Sequence, residues 1–163
     1  METLLLLLNG KQYEYGDIKS FNTISLLEDP TKENGHSYVD LGLSVKWANC
    51  NIGSTCVGDK GGLYGWGDAS GNILVEDYYL KDKEVPVNIA YTEYDIVAKN
   101  LGKDWSLPTT DHWKELIKRC KWEWISNPLI KGYIVTGITG AKIFMPMAGR
   151  RYGKDVCFAE EYG

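Results

Sequence analysis

The 163-residue sequence predicts a mixed α+β domain, and three observations carry that reading. Short runs of alternating apolar and polar residues recur along the chain, interrupted by glycines. Two longer runs instead space their apolar residues at helical intervals and carry capping residues at their ends. The composition, 18 Gly with 6 Trp and 11 Tyr against 3 Phe, suits a loop-rich architecture in which large amphipathic rings pin loops down. Two helices set among short antiparallel strands with long glycine-rich loops point to α+β rather than to a sandwich or a parallel sheet. The length fits one domain.

The chain opens "METLLLLLNGKQYEYG". A secretory signal needs a basic start, a longer apolar core and a small-residue cleavage site, whereas here Glu2 is acidic and Asn9-Gly10 ends the run. The run reads as a strand over residues 3–8, followed by an Asn-Gly hairpin turn and a second strand in "KQYEYG". Left in water, contiguous leucines would be an aggregation hazard, so pairing with a neighbouring strand is expected. "FNTISLL" adds a further strand-like piece, and "EDPTKENGHS" reads as a linker or long turn. Residues 1–35 are therefore an N-terminal β-arm with a linker, and residues 36–163 the main domain.

From Tyr38, "YVDLGLSVKWANCNIG" makes two strand-like pieces and "CVGDKGGLYGWGDASGN" a loop-rich stretch around an aromatic cluster. In "TEYDIVAKNLGKDW", Tyr94, Val97, Ala98 and Leu101 fall on one helical face and Gly102 stands where a C-terminal glycine belongs. In "LPTTDHWKELIKRCKW", Trp113, Leu116, Ile117 and Cys120 follow the i, i+3, i+4, i+7 pattern, with Thr109 as N-cap and Asp111 in the first turn. Then "GYIVTGIT", "AKIFMPMAG" and "DVCFAEEYG" read as strands, with turns at Thr139-Gly140 and Tyr152-Gly153.

A formal charge of −4 gives no basic footprint for nucleic acid. With 44% apolar and 25% charged residues, the composition is that of a globular chain, and no stretch approaches the roughly 20 apolar residues that a membrane span needs. Four cysteines (Cys50, Cys56, Cys120, Cys157) without a CxxC pair, beside two histidines, do not make a structural zinc site. They read as small buried hydrophobes, with a Cys50–Cys120 disulfide open in an oxidising compartment.

"VDLGLSVKWANCNIGS", "GLYGWGD", "AKNLGKDWSLPTTDHWKELIKRCKWEW" and "GYIVTGITGAKIFMPMAGRRYG", in this order, closely resemble the "major paralogous domain" family of Bacteroidetes and fibrobacters. The resemblance runs from about Tyr38 to Gly153. It implies a C-type-lectin-like fold, related to formylglycine-generating enzymes and to retroelement-diversified receptor-binding proteins. It also implies a binding protein of a phage particle or bacterial cell surface, with a protein or glycan receptor. The lack of a signal segment favours the virion. On this resemblance "VDLGLSVKWANCNIGS" forms the first strands, with Trp47 and Cys50 in the core. Ser106 stands where the family has Arg and His112 where it has Glu, so capping and ion pairing at that helix are expected to differ. The family pattern continues into a Y-W-S-S segment and closing strands. This chain stops at Gly163, so residues 1–35 are a candidate substitute for them, with self-association or assembly through the arm as a further expectation.

No catalytic constellation emerges. Cys50, Cys120 or Cys157 could pair with His112 as nucleophile and base, but His112 falls in the first turn of a helix, where exposure is the default. The cysteine motif of the formylglycine-generating enzymes is absent around Cys157. Asp59, Asp68 and Asn72 are too scattered for a calcium loop, and the glycine loops lack the Lys-Ser/Thr of a phosphate loop. No cofactor or metal is expected. Binding is better served by aromatic and Arg side chains on loops: Tyr64, Trp66 and Asp68 in one, with Trp66 pinning the glycine loop, and Arg150, Arg151 and Tyr152 in another.

Overall fold

The structure, a computed structural model, describes residues 6–8, 11–13, 32–33, 36–54, 57–70, 85–126, 130–152 and 155–157; side chains are described for 37–54, 57–70, 85–126 and 130–150. Its elements are β1 (Leu6–Leu8), β2 (Lys11–Tyr13), β3 (Lys32–Glu33), β4 (His36–Val39), β5 (Trp47–Ala48), α1 (Ile96–Leu101), α2 (Thr110–Arg119), β6 (Lys121–Ser126), β7 (Lys131–Thr136), β8 (Lys142–Pro146), β9 (Arg150–Tyr152) and β10 (Asp155–Cys157). Among the described residues, two helices and small antiparallel sheets make this an α+β protein.

Leu6–Leu8 pairs antiparallel with Lys11–Tyr13, with Leu8 opposite Lys11, so only Asn9 and Gly10 separate the strands. Residues 3–5 of the expected strand lie outside the described residues, as does "FNTISLL". The stretch expected as a linker contains a hairpin: Glu33 pairs with His36 and Lys32 with Ser37 across Asn34-Gly35. β4 continues through His36–Val39 and pairs on its other side with β5, Val39 opposite Trp47. This second hairpin therefore joins the two sides of the expected boundary at residue 35.

The central sheet runs β6-β7-β8. Its first strand takes in Lys121 and Trp122, which the sequence reading places at the end of the helical run. α2 stops at Cys120, whose backbone is extended (φ −104, ψ 154), and β6 starts at the next residue. β7 and β8 are joined over residues 138–140: the Gly140 N–H donates to the Gly137 carbonyl (3.0 Å), and the Gly137 N–H donates to the Ala141 carbonyl (2.8 Å). Gly140 sits at φ +85, the left-handed position that a three-residue hairpin loop requires. The expected Thr139-Gly140 turn is there.

The core lies where α2 and the residue 39–47 segment cover this sheet: Val39, Leu41, Trp47, Leu116, Val135 and Ile143 are buried together, with Trp122, Cys120 and Met145 packed against them. Contact is close enough that a Cβ at Gly137 would come within 2.4 Å of the Leu41 carbonyl oxygen. Trp47 is a core residue, as expected. Two members of the expected α2 face are not: Ile117 is 63% exposed and Trp113 38%, while Leu116 is fully buried.

Candidate functional site

α1 is shorter than its periodicity implied, and the reason lies at its start. Asp95, not an earlier residue, is the N-cap, and Tyr94 precedes the helix. The Asp95 side chain is fully buried, with one oxygen accepting from the N–H groups of Val97 (2.9 Å) and Ala98 (3.2 Å). Its other oxygen accepts from Tyr91 N–H (3.0 Å) and Leu107 N–H (2.9 Å). A buried carboxylate is costly unless its lone pairs are met, and here four backbone donors meet them. The result ties the turn before α1 to the segment entering α2. Tyr91 is held there at φ +61, a conformation that costs a non-glycine residue about 1 kcal/mol or more, while its ring is 61% exposed.

The Leu107 segment leads into α2 through a reciprocal cap. Thr109 Oγ1 accepts from His112 N–H and His112 Nδ1 accepts from Thr109 N–H, each at 3.2 Å. This is a capping box in which imidazole stands in for the usual Glu or Gln. The cap expected at Thr109 is present, and the departure at His112 is accommodated by its ring nitrogen. On the next turn Trp113 stacks edge-on against Trp47, with ring centroids 5.2 Å apart. Glu115 reaches across to the residue 40–45 loop, accepting from Ser44 N–H (3.1 Å) and Ser44 Oγ–H, and pairs with Arg119 (2.9 Å). Those Ser44 hydrogen bonds, with the Arg119 guanidinium as a smaller contribution, hold the Glu115 carboxyl below its ordinary value.

These segments enclose a cavity of about 700 Å³, within the range of small-ligand sites. It is lined by residues 45–48 and 50–52, by Tyr91, Val97 and Leu101, by residues 104–108 with His112 and Trp113, and by residues 143–146. Tyr38, Trp47, Tyr91, Trp105, Trp113 and Phe144 give it aromatic walls, and Lys46, Asn51, Asp104, Ser106 and His112 supply the polar groups. Lys46 Nζ also lies 4.2 Å over the Tyr38 ring.

The residues singled out in the sequence fall elsewhere. Tyr64, Trp66, Asp68 and Arg150 do not line this cavity. Asp68 is buried and accepts from Ser70 N–H (2.9 Å), closing a tight turn in the glycine loop. The Tyr64 ring leaves no room for a Cβ at Gly62, so Tyr64 does the pinning that was expected of Trp66, which is 58% exposed. Arg150 is exposed at the start of β9; Arg151 and Tyr152 continue that strand, which pairs with β10, and their side chains lie outside the described ones.

No disulfide joins Cys50 to Cys120. Burial raises the Cys120 thiol, with Glu115 adding to that and Arg119 opposing it. Cys50 and His112 both line the cavity, and the Cys50 thiol donates to the Ser54 carbonyl at 3.7 Å. Among the described residues no group of three or more His, Cys, Asp or Glu side chains could hold a metal ion. Compared with family models, curated proteins and solved structures, the chain matches none. The site has to be read from its own chemistry.

Proposed function

We propose that this protein is a non-enzymatic binding module of C-type-lectin-like fold, carried on a phage particle or a bacterial surface, and that it takes its ligand or receptor in the aromatic-walled cavity. One observation carries the reading: a fully buried carboxylate holds the backbone of Tyr91 in a strained conformation at the cavity wall, with the ring largely exposed. Strain kept in place by a built hydrogen-bond network is a mark of functional positions, and an exposed, rigid aromatic is an effective anchor. Fold and location rest on the resemblance of residues 38–153.

The test is saturable binding of the labelled chain to intact Bacteroidetes cells and to immobilised glycans and surface proteins, compared with Tyr91→Ala. Weakening by about ten-fold or more is the expected effect of losing such an anchor. Absence of saturable binding to every surface would sink the reading.

A second reading has an observation of its own, since Cys50 and His112 share the cavity as a nucleophile–base pair would. It requires the Cys50 thiol to react with an alkylating reagent much faster than an exposed cysteine peptide does at neutral pH. An ordinary rate removes it.

A further inference from the structure

The ligand class follows from which part of each strand borders the cavity. Residues 143–146 of β8 line it as a consecutive run, and so do both residues of β5, Trp47 and Ala48. A strand showing one face would contribute alternate residues, so an unbroken run means that the cavity lies along the strand's edge. Among the described residues both are edge strands: β5 ends the β3-β4-β5 sheet and β8 ends the β6-β7-β8 sheet.

Hydrogen-bond parity then says which backbone groups point there. Gly137 N–H donates to Ala141 C=O and Met147 N–H to Lys131 C=O, both at 2.8 Å, in the register that pairs Ile134 with Phe144. Residues 141, 143, 145 and 147 therefore turn their backbone groups to β7, and Lys142, Phe144 and Pro146 turn theirs outward. On β5, Asn49 N–H donates to Ser37 C=O (3.1 Å) in the register that pairs Tyr38 with Ala48, so Ala48 also turns its N–H and C=O away from its partner strand. No described residue bonds to the outward groups of Phe144 or Ala48. Buried backbone donors and acceptors are nearly always paired, and Phe144 is 97% buried from its 3% exposure.

We propose that the cavity takes an extended segment of a partner protein, which adds as a strand along the outward edge of β8 and sets its apolar side chains among Trp47, Trp105 and Trp113. The proposal rests on the reading of this cavity as the binding site. Backbone hydrogen bonds supply affinity and the aromatic walls supply preference for large side chains. Charge narrows the partner further. Lys142 holds the outward-bonding position before Phe144 on β8, and Lys46 lines the cavity just ahead of β5, so the segment that fits has acidic residues beside its apolar ones. A second copy of this chain would bring another lysine-bearing edge to the same slot, and edge lysines are a common guard against such pairing. Pro146 has no N–H, which ends the row of donors after Phe144 and suits a segment of about five residues.

Amide exchange and peptide selection test this together on the full chain. In the protein alone, the Phe144 and Ala48 amides are expected to exchange at least about ten-fold faster than the paired Ile143 and Trp47 amides. Peptides selected from a displayed random library are expected to alternate apolar residues with acidic neighbours and to protect Phe144 and Ala48 on binding. N-methylating their backbone at alternate positions in one phase is expected to weaken binding about ten-fold, with little effect in the other phase. Ala48→Pro, which deletes an outward N–H, is expected to act like the sensitive phase; if that variant does not fold, the N-methyl series decides. Slow exchange at Phe144 and Ala48 in the protein alone, or no enrichment from the library, overturns the proposal. So does protection that rises with protein concentration without peptide, which would mean pairing between copies. Ligands that bind the cavity with no N-methyl periodicity overturn the strand geometry while leaving the binding-module reading intact.

Discussion

Single residues hold this site together by hydrogen-bond arithmetic. Asp95 meets four backbone donors from three segments with two oxygens. Replacing it with Ala removes the α1 cap and leaves Tyr91 and Leu107 N–H groups without their acceptor, so a loss of about 3–4 kcal/mol is expected in urea denaturation. Asp95→Asn discriminates further, since its NH2 would face two N–H donors; a variant as stable as the parent would show the second oxygen to be idle. Tyr91 makes the opposite prediction. Tyr91→Gly relieves the left-handed strain at φ +61, so stability is expected to stay level or rise by about 1 kcal/mol while ligand binding falls. Loss of both together would place Tyr91 in the packing instead. For Glu115 the sign follows from a folded-state value held below the ordinary 4.5, chiefly by Ser44 and then Arg119. Its stabilisation is present above pH 4.5 and is lost as the pH falls through the lower folded-state value. Unfolding midpoints measured against pH are expected to fall less steeply below 4.5 in Glu115→Gln.

At the scale of elements, what could be read from the sequence was whatever local chemistry decides. The cap at Thr109, the turn at Thr139-Gly140 and the strand-like pieces on either side of residues 40–46 all follow from residues within a few positions of one another. β6 was missed although Trp122 and Trp124 alternate with Glu123 and Ile125, because a helical pattern immediately before it claimed the same residues. Ile117 was placed on a buried face because spacing defines a helical stripe but not how wide a strip the neighbouring sheet covers. The cavity was not legible at all. Its walls come from residues 38–52, 91–113 and 143–146, and each aromatic among them reads singly as core. Thr109→Ala is expected to lower stability by about 1 kcal/mol in thermal unfolding, whereas His112→Glu keeps the reciprocal bond and adds a favourable charge at the helix N-terminus, worth about 0.3–1 kcal/mol. A destabilised His112→Glu would mean that the imidazole matters to the cavity it lines more than to the cap.

For the molecule as a whole, the open issue is what the N-terminal arm contributes. β1 and β2 form a two-stranded sheet of their own, while β3 pairs with β4 and so belongs to the sheet that carries Val39 and Trp47 into the core. β3 thus pairs with β4 across residue 35, where composition alone marked a boundary. An isolated two-stranded hairpin is marginal in water, so an arm bearing a leucine run is expected to be sustained by something it packs on. Two truncations separate the roles. Starting the chain at residue 32 keeps the β3–β4 pairing, so any stability it loses in thermal unfolding measures what the packing of the arm contributes. Starting it at residue 36 strips β4 of a neighbour and is expected to lower stability measurably more. If the shorter cut instead changes the sedimentation behaviour from that of the parent, the arm is an assembly device, and the alternative of a structural protein docking through residues 1–35 gains what the binding-module reading loses. If sedimentation and stability both hold, the arm serves neither the fold nor self-association, and the proposal that the cavity meets a partner stands without it.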